Sequence, residues 1–140
     1  KTIVVWKKLP LTDEMTAEKP FVIKFTLRNS DAMICVRFNP FNRRIYGGSE
    51  KGFVHFWHIE TLDKAPDYDH VIIAHRGRIT AICVGEDVIF TASNDKNIKI
   101  WRKWEFDNIL VGHRDTVTCM HYMQSYPNIL ISGSMDRFVR

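Results

Sequence analysis

Apolar residues along this chain come in short runs separated by clusters of Gly, Pro, Asn, Asp and Ser, the pattern of strands joined by turns. Phe21, Ile23, Phe25 and Leu27 alternate with polar positions and predict a strand over 21–28. The same reading places strands at about 1–6, 33–38, 44–48, 53–58, 70–74, 79–84, 88–92, 97–102, 108–111, 117–122 and 129–133. A last strand starts at Phe138-Val139-Arg140. Asn39-Pro40-Phe41-Asn42, Gly85-Glu86-Asp87 and Ser125-Tyr126-Pro127-Asn128 carry the turn chemistry of tight connections. Lys7 to Pro20 reads as a longer, mobile polar loop, and Thr61 to Asp69 as a second polar connection.

The strands repeat. Thr2-Ile3-Val4-Val5-Trp6, Phe53-Val54-His55-Phe56-Trp57 and Asn97-Ile98-Lys99-Ile100-Trp101 share one pattern, with tryptophans 51 and 44 residues apart. Upstream lies a second pattern, Tyr46-Gly47-Gly48-Ser49, Thr91-Ala92-Ser93-Asn94-Asp95 and Ser132-Gly133-Ser134-Met135-Asp136. A third precedes an apolar strand in Ile73-Ala74-His75 and Val111-Gly112-His113, the histidines 38 residues apart. A period near 40–45 residues built from short strands marks propeller blades (roughly the length of four strands and their turns).

These elements in order (small residue plus His, apolar strand, Ser-x-Asp turn, strand ending in Trp) resemble the WD-repeat family over nearly the whole chain. The resemblance implies an all-β β-propeller of four-stranded antiparallel blades, with strands a to d running outward from the channel. It divides the chain into the end of a first blade (1–28), a second (33–74), a third (79–111) and the start of a fourth (117–140). It also implies a buried chain of hydrogen bonds within a blade, from His to Asp and to Ser or Thr, and on to the Trp N–H. The third blade has all four groups in His75, Thr91, Asp95 and Trp101, and the fourth has His113, Ser132 and Asp136. The second blade departs from the pattern: Asn29 stands at the His position and Lys51 at the Asp position, so it is expected to lack the network and lean more on packing. The residue after each Trp is Lys7, His58 or Arg102, so the dipeptide that names the family is absent.

A His/Asp/Ser set also invites a hydrolase reading. Against it, the set recurs once per blade and its hydroxyl lies within a strand rather than on an elbow turn. No P-loop, Rossmann or kinase signature is present. The expectation is a non-enzymatic chain with no catalytic residue, cofactor or metal. His55 and His58 are three apart on a strand and face opposite sides. His70 and His121 read as surface or interblade residues, and Asp67-Tyr68-Asp69-His70 as a loop. Gly47-Gly48 reads as a strand-end bulge or close blade packing. Trp104 and Phe106 read as blade-rim residues, with a peptide contact as the alternative.

Composition narrows the class further. Apolar residues make up 45% of 140, which excludes a disordered chain, and no apolar run is long enough for a membrane span. Cys35, Cys83 and Cys119 are odd in number and lack any CxxC spacing, so they read as buried free thiols of an intracellular protein, cytoplasmic or nuclear. Net charge is +4, mildly basic, with the charges scattered.

In the family resemblance, partners bind the end that carries the d–a and b–c loops. Those loops hold Arg76, Arg78, Asn94, Arg114 and Met135, together with Glu50 and Asp115. Three arginines there favour carboxylate or phosphate groups. The expected function is a protein or peptide-binding scaffold that prefers acidic or phosphorylated segments. The alternatives are RNA binding on a basic surface, which would need interleaved aromatics, and substrate recruitment for a larger enzyme such as a ubiquitin ligase. No membrane role is expected. The first and last strands both read as the same part of strand c, so they overlap instead of completing one another. The expectation is a piece of a longer propeller whose remaining blades come from the parent chain, and which alone would be marginal or self-associating.

Overall fold

A computed structural model of the chain describes residues 2–8, 21–61, 64–123, 125 and 128–140. Most of the polar stretch 7–20, and Tyr126 and Pro127 of the last expected hairpin, therefore lie outside the described residues. Twelve strands are described, in four antiparallel sheets. The first sheet pairs β1 (Thr2–Lys8) with β2 (Phe21–Arg28). The second runs β3 (Met33–Asn39), β4 (Arg44–Ser49), β5 (Phe53–His58) and β6 (Asp67–Ile73), each paired with the next. The third repeats that order with β7 (Ile79–Val84), β8 (Ile89–Ser93), β9 (Ile98–Arg102) and β10 (Glu105–Leu110). The fourth pairs β11 (Val117–Met123) with β12 (Ile129–Ser134). Residues 138–140 fold back on β12 through a Gly133–Val139 bridge and two main-chain bonds between Ser132 and Arg140.

The sheets stack face to face, and three apolar clusters fill the gaps. Phe25, Leu27, Ile45 and Trp57 join the first sheet to the second; Tyr46, Val54, Phe56, Ile79, Ile82 and Trp101 join the second to the third. Phe90, Ile98, Val117 and Met120 join the third to the fourth. Being covered on both sides, β8 is buried at every residue, which is why it reads as a continuous small and apolar run rather than an alternating one. Gly47 and Gly48 make one of these contacts possible. A Cβ on Gly48 would lie 2.6 Å from Ile79 Cγ2 and 2.7 Å from Cys35 Sγ, so the strand needs glycine to let the third sheet approach. The innermost strands share a device: β3, β7 and β11 each carry a register shift at their second residue, between Met33/Cys35, Ile79/Ala81 and Val117/Cys119. Bulges of this kind sharpen local twist.

Three expectations need correction. The stretch Asp67-Tyr68-Asp69-His70 is strand, not loop, because the Tyr68 ring packs edge-on against Trp57 at 6.1 Å and its hydroxyl bonds His55. The outer strand of the third sheet begins at Glu105 rather than 108, because Lys103 and Trp104 close a two-residue turn with φ of 48° and 71°. The thiols differ: Cys83 is buried and Cys35 half-buried, but Cys119 is exposed. Burial pushes the Cys35 thiol up to about 11.

Candidate functional site: one loop end and its polar supports

The second, third and fourth sheets each turn from their second to third strand, or the start of one, through the same four-residue device. Gly52 donates its N–H to Ser49 O at 3.3 Å, Lys96 to Ser93 O at 3.3 Å and Arg137 to Ser134 O at 3.2 Å. The closing residue is left-handed in all three, with φ of 86°, 74° and 71°. In the third and fourth sheets the serine hydroxyl accepts the N–H of Asp95 or Asp136 at 3.1 Å, and the aspartate in turn accepts the N–H of Asn97 or Phe138. This is the physical content of the Ser-x-Asp pattern: both side chains satisfy turn N–H groups that strand pairing leaves open. Gly52 serves an additional purpose. Its carbonyl accepts the N–H groups of Ala74 and His75, and a side chain there would collide with the His75 and Gly77 carbonyls. The turn of one sheet is thereby clamped to the connection that leads into the next.

Beneath this end sit the polar chains. In the third sheet His75 Nδ1 lies 2.9 Å from Asp95 Oδ2, His75 Nε2 lies 2.8 Å from Thr91 Oγ1, and Trp101 Nε1 donates to that same oxygen at 2.9 Å. A neutral imidazole protonated on Nδ1 fits all three contacts: it donates to Asp95, accepts the Thr91 O–H, and leaves Thr91 to accept from Trp101. Burial lowers the His75 pKa against the opposing pull of Asp95. Burial also works to raise Asp95, but the His75 contact and the Asn97 and Arg76 N–H groups outweigh it and hold the carboxyl below its ordinary range. In the fourth sheet His113 lies 2.9 Å from both Asp136 Oδ2 and Ser132 Oγ. Burial again works against ionised Asp136, yet the N–H groups of Arg114 and Phe138 and the His113 contact lower its pKa strongly. Thr91 is fully buried with its oxygen committed to Trp101 and His75, so this hydroxyl has no path to a substrate.

The second sheet lacks this chain, as its sequence leads one to expect, but it carries polar contacts that the expectation of added reliance on packing did not include. Asn29, Gly47 and Lys51 stand where the third sheet has His75, Thr91 and Asp95, so that chain cannot form. A set of reversed polarity takes its place. Lys51 Nζ pairs at 2.9 Å with the buried Asp31, which approaches from the connection preceding β3. His55 Nε2 lies 3.4 Å from the other Asp31 oxygen, close enough for ion pairing but without a hydrogen bond among the described residues. His55 Nδ1 lies 3.2 Å from the Tyr68 hydroxyl, and its ring stacks on Trp57 at 6.0 Å. Lys51, then His55, draw the Asp31 pKa down, while burial lowers His55. The sequence signal was the paired charge swap: acid to base at Lys51, with a new acid at Asp31 two residues after Asn29.

The predicted contact residues lie on this end. Arg76, Arg78, Asn94 and Arg114 are exposed, and Met135 is 61% exposed. Main-chain bonds hold them: Asn94 N–H to Arg78 O at 3.3 Å, Met135 N–H to Thr116 O at 2.9 Å, and Arg114 N–H to Asp136 Oδ2 at 2.8 Å. None of the three arginines forms an ion pair among the described residues. Among the described residues no group of three or more His, Cys, Asp or Glu is placed to hold a metal, and no helix is long and apolar enough to cross a membrane.

Comparison with known proteins agrees with this geometry. A nuclear distribution protein PAC1 of Candida tropicalis is 30% identical over 121 residues, which cover 84% of this chain and 24% of that protein. A DDB1- and CUL4-associated factor 11 homolog of Caenorhabditis elegans is 26% identical over 123 residues, 81% of this chain and 21% of that protein. The chain thus spans about a quarter of the length of the curated relatives it matches. The crystal structure of the computationally designed Ika4 protein superposes with a TM-score of 0.70 at 20% identity, over 85% of this chain and 71% of that one. The designed Ika8 protein gives 0.68 at 21% identity, over 84% and 35%. The family model described as WD domain, G-beta repeat matches residues 21–58, 67–102 and 104–140, and the chain belongs to this WD40 family.

Proposed function

We propose that this chain is a non-catalytic protein-interaction scaffold whose loop end selects acidic or phosphorylated partner segments. The observation that carries the reading is the set of Arg76, Arg78 and Arg114, exposed and without ion pairs among the described residues, on connections fixed by main-chain bonds. Guanidinium groups in that state meet carboxylate or phosphate oxygens through two parallel N–H bonds at little cost in breaking earlier partners. Asn94 and Met135 supply an amide and a flexible apolar contact beside them. The three cysteines are free thiols, which fits a reducing compartment, cytoplasm or nucleus.

A second reading, a substrate-recruiting part of a larger ubiquitin ligase, is favoured by the relative whose name associates it with DDB1 and CUL4. It places the same loop end on the substrate. Binding of the intact protein to a panel of acidic, phosphorylated, neutral and basic peptides, beside a single-stranded RNA, tests the proposal. Saturable preference for the acidic and phosphorylated members supports it. Preference for RNA, with affinity falling steeply as salt rises, points to a nucleic-acid surface instead.

A further inference from the structure

The first and fourth sheets are complementary halves of the sheets between them. In the second and third sheets the strand that ends in tryptophan, β5 or β9, pairs with the outermost strand through a register shift beside that tryptophan, at Phe56/Trp57 and opposite Ile100/Trp101. The β1–β2 pair repeats this feature, with its shift at Val5/Trp6. The β11–β12 pair repeats the inner one instead, with the shift between Val117 and Cys119 that β3 and β7 also carry. Among the described residues, the first sheet is therefore an outer pair of strands and the fourth an inner pair.

Each half leaves open what the other can fill. Trp57 and Trp101 are buried, but Trp6 is 57% exposed. Trp101 sits in one apolar cluster with Val54, Ala74 and Ile89, and donates to Thr91 Oγ1. Their counterparts one sheet on, Ile98, Gly112, Leu130 and Ser132, line an open slot of about 220 Å³. With His113 protonated on Nδ1 toward Asp136, Ser132 gives its hydroxyl proton to Nε2, and its oxygen can accept an indole N–H. Beside β1 the reverse holds. Ile82 and Met120 face the preceding sheet and are buried, whereas their counterpart Val36 is 43% exposed. Val36 and Phe38 border a gap of about 440 Å³ beside β1, where an inner pair of strands would sit.

We propose that the outer pair of one copy of this chain joins the inner pair of a second copy, with β1 running antiparallel along β12 and Trp6 entering the Ser132 slot. The edge of β12 already takes an antiparallel strand, since Gly133 bridges Val139 and Ser132 exchanges both main-chain bonds with Arg140. Residues 138–140 give way to the longer stretch Thr2–Trp6 of the incoming copy. In the third sheet Ile89, Thr91 and Ala92 face Trp101, Lys99 and Ile98. The same register sets Trp6 opposite Leu130, Val4 opposite Ser132 and Ile3 opposite Gly133. Trp6 then donates to Ser132 Oγ and completes in the fourth sheet the bonded chain of the third. The β11–β12 pair of the second copy closes the gap over Val36 and Phe38. Open strand edges favour pairing of this kind, and a tryptophan buried in a pocket concentrates binding energy. Each copy carries both halves, so two copies complete two sheets reciprocally. The contact is a property of residues 1–140 by themselves and uses none of the arginines proposed to bind peptides.

Sedimentation equilibrium of the 140-residue chain across a range of concentrations tests the proposal. A monomer–dimer equilibrium is expected. Trp6→Ala removes the anchor and Val111→Arg blocks the slot; both side chains are exposed, so both variants keep the fold. Each alone is expected to dimerise more weakly by about tenfold or more. Mixed together, the two should associate again, because the Val111→Arg copy still offers Trp6 and the Trp6→Ala copy still offers an open slot. In the parent dimer one further indole N–H should be protected from hydrogen exchange, and Ser132→Ala should remove that protection. A chain that stays monomeric up to about millimolar concentration, a dimer indifferent to Trp6→Ala, or a mixture of the two variants that fails to associate would overturn the proposal.

Discussion

Trp101 donates its indole N–H to Thr91 Oγ1 at 2.9 Å, across adjacent strands of the third sheet, and so ties the family's repeated tryptophan to the hydroxyl that holds His75. Replacing that hydroxyl by a methyl group keeps shape and leaves two buried polar groups, His75 Nε2 and Trp101 Nε1, without that partner. Thr91→Val is therefore expected to destabilise the protein by about 2–4 kcal/mol. Urea unfolding measures it, and a loss below about 0.5 kcal/mol would show that the chain of bonds is not a support.

Gly48 faces a different constraint, since its backbone is ordinary and only space is short. A methyl group there meets Ile79 Cγ2 at 2.6 Å and Cys35 Sγ at 2.7 Å, both in well-packed surroundings. Gly48→Ala is expected to cost about 1–3 kcal/mol through overpacking. Pairing it with Ile79→Ala, which removes the Cγ2 methyl that the new Cβ meets, should make the combined loss smaller than the sum of the two single losses in a double-mutant cycle; strict additivity would mean that the two sheets do not meet there.

Acid sensitivity follows from the buried histidines. His75 and His55 have folded pKa values below the ordinary 6.5, chiefly through burial. As pH falls below 6.5 the unfolded chain takes up protons that the folded rings refuse, so stability declines with falling pH. Asp95 and Asp31, held below the ordinary 3.8, add a second decline in the same direction as pH drops under that value. Stability should be level above neutrality and fall in two stages below it. In His75→Gln the first stage should shrink, and an unchanged profile would remove His75 from the explanation.

The repeats were legible because their chemistry is local. Ser93, Asp95, Ser134 and Asp136 satisfy N–H groups within two residues of themselves, so spacing alone reveals the turn. Asp31 and His55 were not legible, since their partnership spans two connections and breaks the family pattern it replaces. The Lys103-Trp104 turn was not legible for a related reason, although Trp104 itself stood out as a rim residue. A rule that assigns tight turns to Asn and Gly has no place for Lys-Trp, and the stacking on Tyr46 and Phe56 that holds it belongs to another sheet. The start of β6 was hidden because Asp67 and Asp69 flank Tyr68, whose contact with His55 is again non-local.

The most direct test of the binding account is charge reversal at the arginine end. The intact protein carrying Arg76→Glu, Arg78→Glu and Arg114→Glu should unfold at the same urea concentration as the parent, because all three side chains are exposed and free of ion pairs among the described residues. Titrated against matched acidic, phosphorylated and basic peptides, it is expected to lose the first two and gain the third. A folded triple variant that keeps the parent's preference would contradict the account.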